Sequence, residues 1–382
     1  MKKKFIAILL SSFMVIGMLA GCSSDNGSSG GSSEEEKNSG EISEVVQGAI
    51  DRTEQRTAPQ TEWDGPTSGP KAAEGKEIVC VNANSENAVE AMWGESVAEA
   101  CERIGWECTV LDGKGTTQGQ TTALNQAISM GVDAIVTSAD VEPLQATILE
   151  AKEAGIPTVG IHGSNVNGPD EALNMIYNVT SSGTEIGYAL ADYVIADSNG
   201  EGRVVILYDA QYAIAREKAE AMKERIEECE GMELLDYVNS PLSETSTNMP
   251  TLTSSWVSNF EKPFYVITIA DSYYDFVTPT LRNGGVSPDD VILVGSDGTS
   301  AAYDRIRNGD YQVGTIPEPA NLLGYIAVDE LNRYFNGEDV VVYEPGIFIV
   351  TKDNIEEEGG DQDMYIPSNN YADEYAKIWG VD

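Results

Sequence analysis

From residue 76 onward the chain alternates short, β-rich apolar runs with longer helical stretches, and it completes that alternation twice. The first set of runs is "IVCVNA", "WECTVLD", "DAIVTS", "IPTVGI" and "NMIYNV", with helices expected near 87–104, 118–130 and 142–154. The second is "RVVILY", "ELLDYV", "PFYVITIA", "VILVGS" and "YQVGTI", with helices near 215–229, 249–259, 273–283 and 299–308. Strands that read apolar throughout and are separated by helices belong to a parallel sheet buried on both faces. "MGVD" and "AGIP" set glycine between a helix end and the next strand, where a left-handed turn is needed. The expected fold is therefore α/β, with two doubly wound parallel-sheet lobes. A helix at 321–335, candidate strands "VVVYE" and "GIFIV", an acidic break "IEEEGGDQD" and a tail rich in Tyr and Trp, expected to pack on the surface, complete the chain. Open parallel sheets bind ligands outside the carboxyl ends of their strands. Two such sheets facing one another make a clamp.

The first residues carry an address. Lys2, Lys3 and Lys4 precede "FIAILLSSFMVIGMLA", which is short for a membrane span of roughly 20 residues but follows the basic-then-apolar layout of a secretory signal. The run ends in "LAGC", similar to a bacterial lipobox, which implies removal of residues 1–21 and acylation of Cys22. A lipid-anchored protein on the extracytoplasmic face of the cell membrane is expected, held by roughly 0.8 kcal/mol per buried CH₂. Residues 22–75 read as a flexible acidic tether rich in Gly, Ser and Pro. Within it Ile42, Val45, Val46, Ala49 and Ile50 have helical spacing, enough for one amphipathic helix that lies on the folded body or frays. Pro59, Pro66 and Pro70 then forbid regular structure, and Trp63 is expected to plug the segment onto the folded part.

Formal net charge is -40, and loss of the three leading lysines makes it more negative still. Such a surface excludes nucleic acid as a partner and electrostatic binding to anionic headgroups. Cys80, Cys101, Cys108 and Cys229 match no zinc spacing. Cys80 and Cys108 fall in neighbouring strands, which allows a disulfide, but buried free thiols are expected and none is assigned. "VLDGKGTTQG" follows a strand and opens a helix, yet its glycines depart from the dinucleotide pattern. The chain has no GxxxxGK loop, GxSxG elbow or HExxH helix, and its one histidine, His162, has no evident catalytic partner. No enzymatic activity, cofactor or metal is expected.

Several loops carry a resemblance. "LVGSDGT" at 293–299, "AREKAEAM" at 215–222, "AGIPTVGIHG", "GYALADYVIA", "QVGTIPEP" and "FNGEDVVV" occur in the order in which similar segments occur in the ribose/galactose-type periplasmic binding proteins, the solute receptors of ABC importers. The resemblance covers most of residues 76–352. It implies a type I periplasmic binding fold, with chain crossings near Thr180 to Ser182, Ile316 to Glu318 and Tyr343 to Pro345. An amino-terminal lobe of 76–180 plus 318–343 and a carboxyl-terminal lobe of 181–317 plus 344–358 would then close on a ligand by hinge motion. Residues 359–382 remain as a tail. The implied function is capture of a small polar ligand, a sugar or polyol, by a monomer that delivers it to an ABC permease. The alternative is a sensor of the same fold that presents its closed form to a membrane kinase or chemoreceptor.

The same resemblance marks candidate ligand-binding residues. Asp297 in "GSDGT" aligns with a sugar-contacting aspartate, or caps the helix after it. Asp271 in "TIADSYY" contacts ligand or serves as a cap. Arg216 and Lys218 open a helix toward the cleft, with Lys218 aligned to an arginine whose planar fork it lacks. Glu318 stands where the family has a hinge glutamine, to meet a ligand donor or to pair with Lys218. Asn87 and Glu90 lie at the first strand end, where Val89 and Glu90 replace stacking aromatics; Trp93 could supply a ring or be core, as could Tyr212 and Tyr273 from the other lobe. Thr137 aligns with an asparagine, and Asp112, Gln118, Ser138 and Asp140 belong to further polar loops. His162 and Gly163 replace an Asp-Arg pair, so His162 reads as a specificity residue.

Overall fold

The structure, a computed structural model, describes residues 42–86 and 88–381. Helix α1 (Glu44–Thr57) comes first. The first sheet and its helices follow as β1 (Glu77–Asn82), α2 (Ala88–Ile104), β2 (Glu107–Asp112), α3 (Thr117–Met130), β3 (Ala134–Thr137), α4 (Gln145–Glu153), β4 (Thr158–Ile161), β5 (Gly168–Asp170) and β6 (Met175–Val179). The second set is α5 (Gly183–Asp197), β7 (Arg203–Tyr208), α6 (Ala213–Glu227), β8 (Glu233–Asn239), α7 (Thr245–Asn259), β9 (Phe264–Thr268), α8 (Tyr274–Asn283), β10 (Val291–Asp297), α9 (Ser300–Asn308) and β11 (Gln312–Pro317). Helix α10 (Ala320–Asn336), the short β12 (Val350–Thr351) and α11 (Tyr371–Trp379) end the chain.

The sheet orders are β2-β1-β3-β4-β6-β5 and β12-β11-β10-β9-β7-β8. Pairing is parallel except at β5 and β12, each antiparallel to its neighbour. Strand order therefore reverses between β1 and β3 in one sheet and between β7 and β9 in the other, and a crevice opens at each reversal. The uniform apolar runs have the expected cause. Along β1, Ile78 and Cys80 pack toward α2 and α10, while Val79 and Val81 pack toward α3 and α4.

The chain leaves the first sheet at Val179 and enters α5 at Gly183, with Ser182 capping that helix by accepting from the Glu185 N–H. It returns after Pro317, and α10 buries its apolar face in the first lobe's core. Tyr343 still belongs to that core and Ile349 to the second.

Three expectations need correction. Residues 42–75 are not flexible tether: α1 is the amphipathic helix expected there, lying on the second lobe with Val46 and Ala49 buried in its core, and Trp63 plugs the following segment onto the first lobe as expected. "VVVYE" and most of "GIFIV" form no strand, because this extended stretch bridges the lobes and leaves only Val350–Thr351 to pair. Residues 168–170 add a short strand that the sequence reading did not include. The tail is core rather than surface cover, since Tyr371, Tyr375 and Trp379 of α11 are buried with α10. Cys22 and residues 1–41 lie outside the described residues. The four described cysteines are free thiols.

Candidate functional site

The loop after β10 supplies the first group. Asp297 ends the strand with φ +99°, a region that L residues avoid unless the surroundings hold them there. Gly298, at φ +70°, lies against Pro317, and a Cβ there would fall 2.4 Å from the proline Cβ. The backbone is thus turned so that the Asp297 carboxylate leaves the sheet end, 27% exposed. Lys218 Nζ lies 3.7 Å from Asp297 Oδ1, too long for a hydrogen bond, and donates to Ser296 Oγ at 3.3 Å. Burial pushes the Asp297 carboxyl up to about 8; Lys218 opposes this, while Asp271 and Glu318 add to it. Helix α9 is capped by Thr299, whose Oγ1 accepts from the Ala302 N–H at 3.2 Å, so Asp297 is not its cap.

The second group lies at the hinge. His162 follows β4 at φ +55°, and its Nδ1 makes a 2.8 Å hydrogen bond with Thr180 Oγ1. Its Nε2 is 3.4 Å from Glu318 Oε2 but forms no aligned hydrogen bond. Glu318 accepts from Ser181 Oγ at 3.0 Å, and its backbone N–H donates to Asp297 O at 3.3 Å. Burial alone would raise the Glu318 carboxyl, but His162, Lys218 and Ser181 outweigh it and hold the group at about 2. The His162 ring packs on Trp93 of α2 at a centroid distance of 4.9 Å, and the buried Trp93 Nε1 has no hydrogen-bond partner among the described residues.

The structure thus gathers Asp297, Lys218, Glu318 and His162, and it moves other candidates away. Asp271 is fully buried and accepts from Gln312 Nε2 and Thr315 Oγ1, both at 2.7 Å, and from the Gly298 N–H at 2.9 Å. It braces the loop that carries Asp297, and the short helix that begins at Asp271 takes no side-chain cap; burial raises its carboxyl to about 6. Thr137 is likewise fully buried, donating to Val81 O and accepting from the Ala139 N–H. Arg216 is exposed and donates to Ala210 O, closing the β7–α6 turn. Glu90 accepts from the Asn84 N–H at 2.5 Å, and burial pushes its carboxyl up to about 7. Asn87 lies outside the described residues.

Tyr273 is core, donating to Ser240 O, whereas Tyr212 stands exposed and within the field of Glu90 from the other lobe. Asp112 accepts from the Ser85 and Lys114 N–H groups, Ser138 from Ala83 and Asp140 from Glu142, all loop-shaping roles; Gln118 is exposed. Sequence reasoning missed Ser181 and Ser296. Each adjoins a feature it had singled out, a crossing in one case and Asp297 in the other.

Two parallel sheets of like topology, joined by extended crossings and presenting polar strand ends beside the hinge, define a two-lobed binding protein. The chain belongs to the periplasmic binding proteins, an extracytoplasmic family: residues 78–339 match its periplasmic binding protein domain. Among solved structures it is similar to the periplasmic binding component of an arabinose ABC transporter from Shewanella sp. ANA-3, with TM-score 0.65 and 18% identity over 79% of this chain and 95% of that one. It is also similar to a myo-inositol-bound ABC transporter solute-binding protein of Bacillus halodurans C-125, with TM-score 0.63 and 22% identity over 77% and 98%. A third likeness is to a periplasmic ribose ABC transporter protein of Conexibacter woesei, with TM-score 0.65 and 20% identity over 76% and 97%. No curated protein matches the chain. Among the described residues no helix is long and apolar enough to cross a membrane.

Proposed function

We propose that this chain captures a small, neutral polyhydroxy ligand, a sugar or polyol, between its lobes and delivers it to an ABC permease, acting as a monomer lipid-anchored through Cys22. The observation that carries the reading is the Asp297 carboxylate, held out of the sheet end beside Lys218 without a hydrogen bond from it. A carboxylate so placed can accept from two hydroxyls, while Lys218 keeps donors for a ligand oxygen. Charge supports a neutral ligand. Lys218 balances the ionised Glu318, and burial favours the protonated form of Asp297. The role is binding without chemical conversion, with hinge closure supplying selectivity.

A thermal-shift screen of pentoses, hexoses, polyols and amines tests this, because a ligand bound only by the folded state stabilises it by RT ln(1 + [L]/Kd). The expected result is a shift from a carbohydrate or polyol. A shift from an amine, with none from any carbohydrate or polyol, would overturn the ligand class.

A further inference from the structure

The segment before the first sheet is fixed to both lobes. At its start, Val46 and Ala49 of α1 are buried in the second lobe's core. Arg52 Nε and Nη2 donate to the two oxygens of Asp192 at 2.7 Å each, and Arg56 Nη1 joins them at 2.8 Å. Asp192 is fully buried on α5. The Ile349 N–H donates to Arg56 O at 2.9 Å, and Asn354 Nδ2 to Thr57 O at 3.1 Å.

Further along, the same segment joins the first lobe. The Trp63 ring packs 5.5 Å from that of Tyr343 and 5.3 Å from that of Tyr375. Arg333 Nη2 donates to Ser68 O at 2.7 Å, and Asn332 Nδ2 to Pro70 O at 3.0 Å. The Ala73 N–H donates to Asn332 Oδ1 at 2.9 Å, and Trp106 Nε1 to Ala73 O at 2.7 Å.

Between these anchors run residues 58–62, of which Ala58, Pro59, Thr61 and Glu62 are exposed. A groove of about 900 Å³ lies between this stretch and the hinge, lined among others by Thr61, Glu185, Pro319, Glu344 and Pro345. Gln60 Nε2 reaches across to Ile347 O at 3.3 Å.

We propose that residues 58–62 are a fourth connection between the lobes, a strap that limits how far they separate and so restrains the hinge from outside its three crossings. The limit follows from chain length. From Thr57 to Trp63 there are six residue steps, which fully extended reach at most ~22 Å. Any opening that needs a longer span must tear out the Asp192 knot or the Trp63 contact, both built into lobe cores. The strap's value for affinity rests on the hinge-closing reading above. The strap itself is tested without ligand.

The experiment uses the full chain carrying spin labels on non-natural residues at Gln126 and Glu227, one per lobe, with interlobe distances read by pulsed dipolar spectroscopy. One variant inserts twelve Gly-Ser residues between Gln60 and Thr61, adding roughly 20 Å of reach. A second carries a protease site in the same place and is cut after folding, which keeps both anchors. The strap predicts that the ligand-free distance distribution broadens toward longer values in both variants while the melting temperature stays within ~2 °C. Distributions that overlay the parent's in both variants would overturn it. Broadening in a protein that binds no carbohydrate or polyol leaves the strap standing and removes the ligand reading, so the two failures are distinct.

Discussion

The Nε2 of His162, at the end of β4, lies 3.4 Å from Oε2 of Glu318, where the chain recrosses the hinge. Burial would raise the Glu318 carboxyl, yet the imidazole, Lys218 and Ser181 hold it at about 2. A depressed carboxyl contributes stability that is fully present above its ordinary value of roughly 4.3 and is lost as pH falls from there toward 2. The histidine that looks like a lone catalytic residue in the sequence is thus tied to the hinge.

Replacement of His162 by alanine should cost about 1–3 kcal/mol at pH 7, because a buried carboxylate loses a partner. That cost should shrink as pH falls through 4 toward 2, where Glu318 protonates in both proteins. Urea denaturation at pH 7, 5 and 3 measures it, and an equal cost at all three would mean that His162 acts by packing on Trp93 alone.

Asp271 and Asp297 should separate cleanly. Asp271→Ala removes the acceptor for Gln312, Thr315 and the Gly298 N–H, and should destabilise the fold by about 3–5 kcal/mol. Asp297→Ala removes a carboxylate that takes no hydrogen bond from Lys218, and should leave the melting temperature unchanged or higher while ligand affinity falls at least tenfold. Denaturation and ligand titration of both variants check this. Loss of stability in Asp297→Ala comparable to that in Asp271→Ala would make Asp297 structural too.

The sequence reads the two aspartates alike, and what separates them is direction. Both follow apolar strands and precede helices, and strand alternation places each near the crevice. Whether a side chain then points out or back depends on backbone angles that no local pattern encodes: Asp297 takes φ +99°, while Asp271 turns under the loop that Asp297 occupies. The strands and helices of the two sheets were legible because a doubly buried strand must be apolar throughout. In the segment 42–75 the helical spacing around Val46 and Ala49 and the lone Trp63 were legible, but the anchoring of the whole stretch was not, because Arg52 and Arg56 find their partner far away in sequence. In α11 the aromatics Tyr371, Tyr375 and Trp379 read as a tail lying on the surface, and only α10 in three dimensions shows that they complete a core.

The raised carboxyl of Asp297 makes a pH prediction of opposite sign to that of Glu318. Between its ordinary value of roughly 3.9 and about 8 the folded protein keeps a proton that the unfolded chain has lost, so this group lowers stability progressively as pH rises through that window. Asp297→Asn should therefore gain melting temperature relative to the parent at pH 8 and show little difference at pH 4. A ligand whose hydroxyls donate to the ionised form should bind more tightly at pH 8 than at pH 6 and release protons on binding. Calorimetry in two buffers of different ionisation enthalpy reads that release, and its absence would mean the carboxyl is already ionised in the free protein.

Asp192 is fully buried under Arg52 and Arg56, with Arg225 Nε 3.9 Å away. Exposed ion pairs contribute little, but loss of a fully buried carboxylate from guanidinium groups that keep 14% to 36% of their own exposure costs about 1–3 kcal/mol. Here the loss falls on three guanidinium groups, two of which belong to α1. Asp192→Ala should therefore both destabilise the second lobe and free α1, so that limited proteolysis cleaves within residues 58–62 at protease levels that leave the parent intact. Glu185→Ala is the control, because Glu185 meets Arg56 at 3.2 Å with 52% of its side chain exposed and should cost under about 0.5 kcal/mol. Equal protease resistance in the Asp192 variant and the parent would show that α1 is held by Val46 and Ala49 rather than by the buried charges.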